Sequence, residues 1–432
     1  MSLLWFAAFA GALVLLLALR IPVAVSMGLI GIAGTMAFVS PAAVVQIANL
    51  AYSQTFSFVL VVVPLFVLMG EVIAVSGLGA SLFRAAAVWL GGLPGGLAIG
   101  TIAACTGFAA VCGSSPVTAA TMGALAVPEM RKHGYSKRLA LGATAAGGTL
   151  GILIPPSVPM ILYGVITDTS IGKLFMAGIL PGVMMALLLS LTVFIQVTLR
   201  PQDAPKITTT VPMRDRLLIT GEAAPIVIIA VMVIVSIYGG FATPTEAGGV
   251  GAAAAILVAL AMRKLRVSAF NTALDRTVRT TGMFMLLLIG GIFSSFVLTR
   301  LGVPQGISAF LTGLDVPPWV ILVAINVFLL VLGMFMDPLS ILVIVVPIFL
   351  HAVVGLGYDP IWFGIIVTIQ TEIAAISPPV GFNLFVLRSV APGTTLQDVT
   401  AGSLVFIVPM LIGVALLMVV PDIALFLPGL LK

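Results

Sequence analysis

Two segments of this chain repeat one another across 223 residues, yet the loops that open them differ in charge. Gly134-Tyr135 is followed by Pro155-Pro156, and Gly357-Tyr358 by Pro378-Pro379, with the first proline twenty residues beyond the tyrosine in each case. The same offset of 223 aligns Leu93-Pro94 with Val316-Pro317, and an offset of 222 aligns Ser115-Pro116 with Asp337-Pro338. The chain therefore reads as an internal duplication. Loop 129–138 carries Arg131, Lys132, Lys137 and Arg138 against Glu129 alone, whereas loop 351–360 has no Lys or Arg and one Asp359. Loops rich in Lys and Arg stay in the cytoplasm, so the first loop is expected there and the second on the other side. Two copies of one unit entering a bilayer from opposite faces form the inverted architecture of secondary transporters.

With 61% apolar and 8% charged residues, the chain is a polytopic membrane protein; soluble globular domains carry about 25% charge. The net charge of +5 does not point to nucleic acid, because thirteen of the nineteen basic residues sit in loops 129–138, 200–216 and 263–279, where they report orientation. Cys105 and Cys112 fall in an apolar stretch without metal-ligand spacing and read as small core residues. The run Leu3 to Leu19 lacks a basic leader and a small-residue cleavage site, so it is expected to be a first span.

On the ruler of roughly 20 apolar residues per crossing, ten spans are expected, near 3–20, 22–40, 56–76, 138–168, 174–199, 217–240, 245–262, 280–300, 361–390 and 400–427. The stretches 95–128 and 318–350 are interrupted midway, by Gly113-Ser114-Ser115-Pro116 and by Met336-Asp337-Pro338. Both read as re-entrant helical hairpins, whose turns must be buried in protein or line a wet cavity. The fold class is thus all-α, an inverted repeat of about ten spans and two hairpins. Residues 1–200 form the first half, 201–216 a cytoplasmic linker and 217–432 the second half. Segments 77–93 and 263–279 suit amphipathic helices lying along the lipid bilayer surface.

The chemistry is expected at the interruptions. Two prolines in succession unwind a helix, so Pro155-Pro156 and Pro378-Pro379 should break spans 138–168 and 361–390. Freed carbonyls can then hold a cation, and the new helix N-terminus beyond each break can face an anion. Ser114 and Ser115 offer hydroxyls at the first hairpin tip, and Thr118 and Thr121 continue that polar face. Asp337 at the second tip either ligates a cation or caps the following helix. Glu372 faces the same interior, with Thr371 and Asn383 as further polar contacts, and Arg388 is the candidate cation for a substrate carboxylate. Glu71, Glu246 and Arg300 are expected to pair or to sit at the interface.

An enzyme is not indicated. The sequence has no phosphate-binding Gly-rich loop, no His-Glu-x-x-His and no Gly-x-Ser-x-Gly. Asp337 and Glu372 could form the acid pair of an intramembrane hydrolase, a remote alternative that the repeat does not require.

The residues Gly113-Ser114-Ser115-Pro116, the run from Gly148 to Pro159, Phe335 to Pro338, and Pro378 to Phe385 together resemble the large membrane subunit of tripartite ATP-independent periplasmic (TRAP) transporters. The resemblance covers essentially the whole chain. It implies a multi-pass protein of the bacterial inner membrane, in which a transport domain holding both hairpins slides against a scaffold like an elevator. It also implies sodium-coupled uptake of an organic acid such as a C4-dicarboxylate or sialic acid, delivered by a periplasmic substrate-binding protein. A small four-helix membrane subunit is expected as a separate chain, since the sequence begins directly with the large subunit. Position by position, the resemblance puts one sodium site at Ser114 and Ser115 with Pro155, Pro156 and Ser157, and its counterpart at Asp337 with Pro378, Pro379 and Gly381. Ser115, Thr118, Ser157, Asn383 and Arg388 are the side chains expected to meet substrate. The alternative is a stand-alone sodium-coupled or exchange carrier that works without a binding protein.

Overall fold

A computed structural model describes residues 2–205 and 211–430. The described residues form twenty α-helices and no β-strand. Part of the expected linker 201–216 lies outside the described residues.

The helices recur in order along the two halves. α1 (Ser2–Ala18) and α2 (Val23–Phe38) correspond to α11 (Met213–Tyr238) and α12 (Pro244–Ala261). α3 (Ala43–Thr55) and α4 (Val62–Val75) correspond together to the single long α13 (Val267–Arg300), and α5 (Gly79–Leu90) to α14 (Val303–Thr312). The arms of the first hairpin, α6 (Gly96–Cys112) and α7 (Ser115–Lys132), match α15 (Pro318–Gly333) and α16 (Pro338–Gly355). The broken helices are α8 (Lys137–Thr149) with α9 (Val158–Thr167), and α17 (Pro360–Ala375) with α18 (Phe382–Val390). α10 (Ile171–Leu199) matches α19 (Leu396–Val419), and a short α20 (Asp422–Gly429) follows. The packing recurs with the halves exchanged: α2 lies on α13 and α12 on α4, α9 on α16 and α18 on α7.

Seven helical stretches among the described residues are long and apolar enough to cross a membrane. Several boundaries differ from those expected. Residues 263–279 are not a separate surface helix, because α13 runs on as 34 residues into the expected span 280–300. No proline or glycine interrupts it between Val267 and Thr281. The expected span 400–427 divides at Pro421 into α19 and α20. α1 and α2 are helical but only 17 and 16 residues long, short of the usual crossing of about 20 residues. α3 and α14 fall outside the expected spans and hairpins.

The broken helices occupy the centre. Every residue from Leu139 to Thr149 and from Trp362 to Ala375 is buried. α10 and α11 instead keep Leu187, Leu191, Ile228 and Val231 exposed, an apolar outer surface suited to lipid. Local chemistry sets the helix starts. Ser136 caps α8 by accepting from the Leu139 amide, and Asp359 caps α17 by accepting from Ile361 and Trp362. Lys137 Nζ lies 2.8 Å from Asp398 Oδ2 and donates to the Gly393 carbonyl at 2.8 Å. The start of the first broken helix therefore sits beside the end of the second.

Candidate functional site

A cavity of about 240 Å³ lies where the two hairpin tips meet. Ser114, Ser115 and Pro116 line it from the first tip, and Asp337, Pro338 and Leu339 from the second. Val158 and Pro159 enter from the start of α9, and Phe382 from the start of α18. Four helix N-termini, those of α7, α9, α16 and α18, thus border one space. Unpaired N–H groups and the helix dipole make such ends attractive to anions. Glu71 and Glu372 add carboxylates to the lining, to which no Lys or Arg belongs among the described residues. Thr280 and Met283 of α13 also line the cavity.

The first hairpin tip is fastened to the first break through the backbone. The Val158 amide donates to the Gly113 carbonyl at 3.3 Å. Gly113 has a φ of +63°, and a Cβ there would stand 2.6 Å from the Pro156 carbonyl oxygen, so only glycine fits this turn. A Cβ on Gly151 would come within 2.7 Å of both the Ser114 carbonyl and the Thr118 hydroxyl. Pro155 and Pro156 are joined by a cis peptide bond, as are Pro378 and Pro379, and none of the four lines the cavity. Ser157 caps α9, accepting from the Met160 amide at 3.3 Å. Thr118 donates its hydroxyl to the Ser114 carbonyl at 2.8 Å.

At the second tip, Asp337 caps α16. One carboxylate oxygen accepts from the amides of Leu339 and Ser340, each at 3.1 Å, and the other accepts the Ser340 hydroxyl. Of the two roles open to Asp337 in the sequence, this geometry displays the cap, with the residue still on the cavity wall. Gly381, at φ +59°, precedes α18 and stands apart from the cavity lining.

Ser115, Glu372 and Asn383 form a network across the halves. The Ser115 hydroxyl donates to Glu372 Oε2 at 2.7 Å, and Asn383 Nδ2 donates to Ser115 Oγ at 2.6 Å. All three residues are at most 2% exposed. Arg388, the expected cation for a substrate carboxylate, is placed elsewhere: it is exposed in the last turn of α18 and does not line the cavity. Its position follows from helical geometry, since α18 turns Asn383, Leu384 and Leu387 inward and leaves Arg388 outside. Glu71 has a partner that the sequence did not reveal, Arg276 Nη1 at 3.4 Å on α13. Their separation of 205 positions left no local signal.

The helices, the paired hairpins and breaks, and the cavity between the tips define an all-helical multi-pass membrane protein. The profile described as "Tripartite ATP-independent periplasmic transporter, DctM component" matches residues 10–423, and the chain belongs to this family, as a large permease subunit of the inner membrane that serves solute uptake. It is 36% identical to the C4-dicarboxylate TRAP transporter large permease protein DctM of Pseudomonas aeruginosa, over 94% of each chain. It is 34% identical to the isethionate TRAP transporter permease protein DctMQ of Oleidesulfovibrio alaskensis, over 97% of this chain and 66% of that one. Its fold resembles the crystal structure of the Alcanivorax borkumensis YdaH transporter, with a TM-score of 0.59, 16% identity and 90% of each chain covered.

Proposed function

We propose that the chain carries out sodium-coupled uptake of a small organic acid, received from a periplasmic substrate-binding protein, by an elevator movement of both hairpins and both broken helices. The observation that carries this reading is the convergence of four helix N-termini on one cavity that no Lys or Arg lines among the described residues. A carboxylate is then held by helix dipoles and by the N–H groups at the starts of α7 and α18, which no side chain caps, instead of by a guanidinium. The two relatives above are named for a C4-dicarboxylate and for isethionate, both organic anions, which agrees with this charge preference.

Sodium supplies the charge balance. Glu71, paired with Arg276, lines the same small space as Asp337 and Glu372, which have no basic partner among the described residues, and an ionised acid at mid-membrane costs about 3 kcal/mol or more when unpaired. Co-transported cations offset that cost and that of the substrate's own charge. The tip–break junctions, Ser114 and Ser115 with Pro155 to Ser157 and Asp337 with Pro378 to Gly381, supply oxygen ligands, largely backbone carbonyls. α2, α5, α12 and α13 belong to the fixed scaffold, and a small four-helix membrane subunit on a separate chain widens it.

The test is uptake into proteoliposomes holding this chain and its small subunit. Accumulation of a radiolabelled organic acid is expected only with an inward sodium gradient and the cognate binding protein. Equal accumulation without the binding protein supports a stand-alone carrier, and equal accumulation in choline medium removes sodium coupling.

A further inference from the structure

The Ser115–Glu372–Asn383 network is incomplete in a specific way. Glu372 Oε2 accepts from the Ser115 hydroxyl and, at 3.4 Å, from Asn383 Nδ2, while Asn383 Nδ2 also reaches Ser115 Oγ. The remaining oxygens, Glu372 Oε1 and Asn383 Oδ1, are buried and have no hydrogen-bond partner. Among the described residues no Lys, Arg or His pairs with Glu372. Two acceptors are therefore left without a donor, next to a cavity that Glu372 itself lines. Buried polar groups without partners are rare and call for a bound species, and a carboxylate demands it more strongly than a neutral group. A cation able to take oxygen ligands meets both acceptors and balances the carboxylate at once.

We propose that Glu372 and Asn383, oriented by Ser115, bind a sodium ion at the junction of the two halves, in addition to the two sites formed by each hairpin with its own break. The inference deepens the sodium-coupled reading and rests on it. It differs in location: Ser115 opens α7 of the first half, whereas Glu372 and Asn383 flank the break of the second. An ion there neutralises the carboxylate and ties the first hairpin to the second broken helix. Release of that ion loosens the same connection, so the state of the junction reports on both halves at once.

Equilibrium binding of radioactive sodium to the purified full chain tests the assignment, with choline replacing sodium in the controls. Glu372→Gln is expected to bind one sodium fewer per chain than the unaltered protein. Asn383→Ala, which keeps the carboxylate, is expected to weaken one class of site by about tenfold, the scale of one lost charge-assisted contact. The same number of ions bound by Glu372→Gln overturns the proposal and assigns a proton to the carboxylate instead. Should that variant fail to give a monodisperse protein, unaltered sodium affinity in Asn383→Ala overturns it equally. If the unaltered chain binds no sodium at all, sodium coupling itself falls, an outcome distinct from loss of this one site.

Discussion

Tyr163, on the helix that follows the first break, donates its hydroxyl to the carbonyl of Pro360, 2.5 Å away, where the second broken helix begins. At the opposite end, Lys137 meets Asp398 and Gly393 beyond the end of the second broken helix. The two broken helices therefore run antiparallel through the centre of the protein. Antiparallel copies of one unit present equivalent loops to opposite faces of a membrane, which is what the loop charges at 129–138 and 351–360 require.

Sidedness follows from that arrangement. Lys132 and His351 are both exposed, and a cysteine at Lys132 is expected to react with an impermeant maleimide only from the cytoplasm, one at His351 only from the periplasm. The native Cys105 and Cys112 are buried and should contribute little background. Labelling of both positions from one face removes the inverted topology.

The first hairpin tip should be intolerant of a side chain at Gly113. An alanine there bears the left-handed backbone cost of about 1–2 kcal/mol and meets the Pro156 carbonyl at 2.6 Å. Gly357 has a similar positive φ, +89°, but open space where a methyl group would stand, with nothing within 4 Å. Gly357→Ala should therefore lose about 1 kcal/mol from backbone strain alone, and Gly113→Ala should melt at a clearly lower temperature than Gly357→Ala in detergent. Equal melting temperatures would mean that the tip does not pack against the break.

Ser115 and Ser157 are expected to behave differently. Ser115→Ala leaves Glu372 and Asn383 without their shared partner, a loss of about 2 kcal/mol for hydrogen bonds to a charged group, and should reduce apparent sodium affinity in uptake. Ser157→Ala loses a helix cap worth about 1 kcal/mol but keeps the backbone carbonyl through which residue 157 serves the proposed sodium site, and should lower stability with sodium dependence retained. Indistinguishable sodium titrations of the two variants would separate the network from ion coupling.

Much of this architecture is legible in the sequence because its key features are punctuation. Pro155-Pro156, Pro378-Pro379 and the two interrupted apolar stretches fall where the helices break and turn. α14 is hidden from such a reading, although the 223-residue offset from α5 leads to it, because Leu301 to Thr312 follows Arg300, is too short to span, and opens with Gly302, Pro304, Gln305 and Gly306, which read as a loop. Charge misleads at α13: Arg276 and Arg279 suggest a surface segment, whereas the helix carries them as one continuous rod with Arg276 turned to Glu71. The Ser115–Glu372 contact spans 257 residues and depends on how the two halves dock, which local spacing does not encode. Arg388 is suitable by type and by proximity to the break, but helical phase turns it outward.

Whether the hairpins slide against the scaffold is decided by one disulfide. Val117 of the first hairpin and Met283 of α13 line the same cavity, and the proposed elevator assigns the first to the moving part and the second to the scaffold. In a background with Cys105 and Cys112 replaced, the pair Val117→Cys and Met283→Cys is joined by oxidation and uptake into proteoliposomes is measured. Complete cross-linking is expected to stop sodium-driven uptake, and reduction to restore it. Uptake that continues at the uncross-linked rate with the disulfide fully formed would contradict a sliding transport domain.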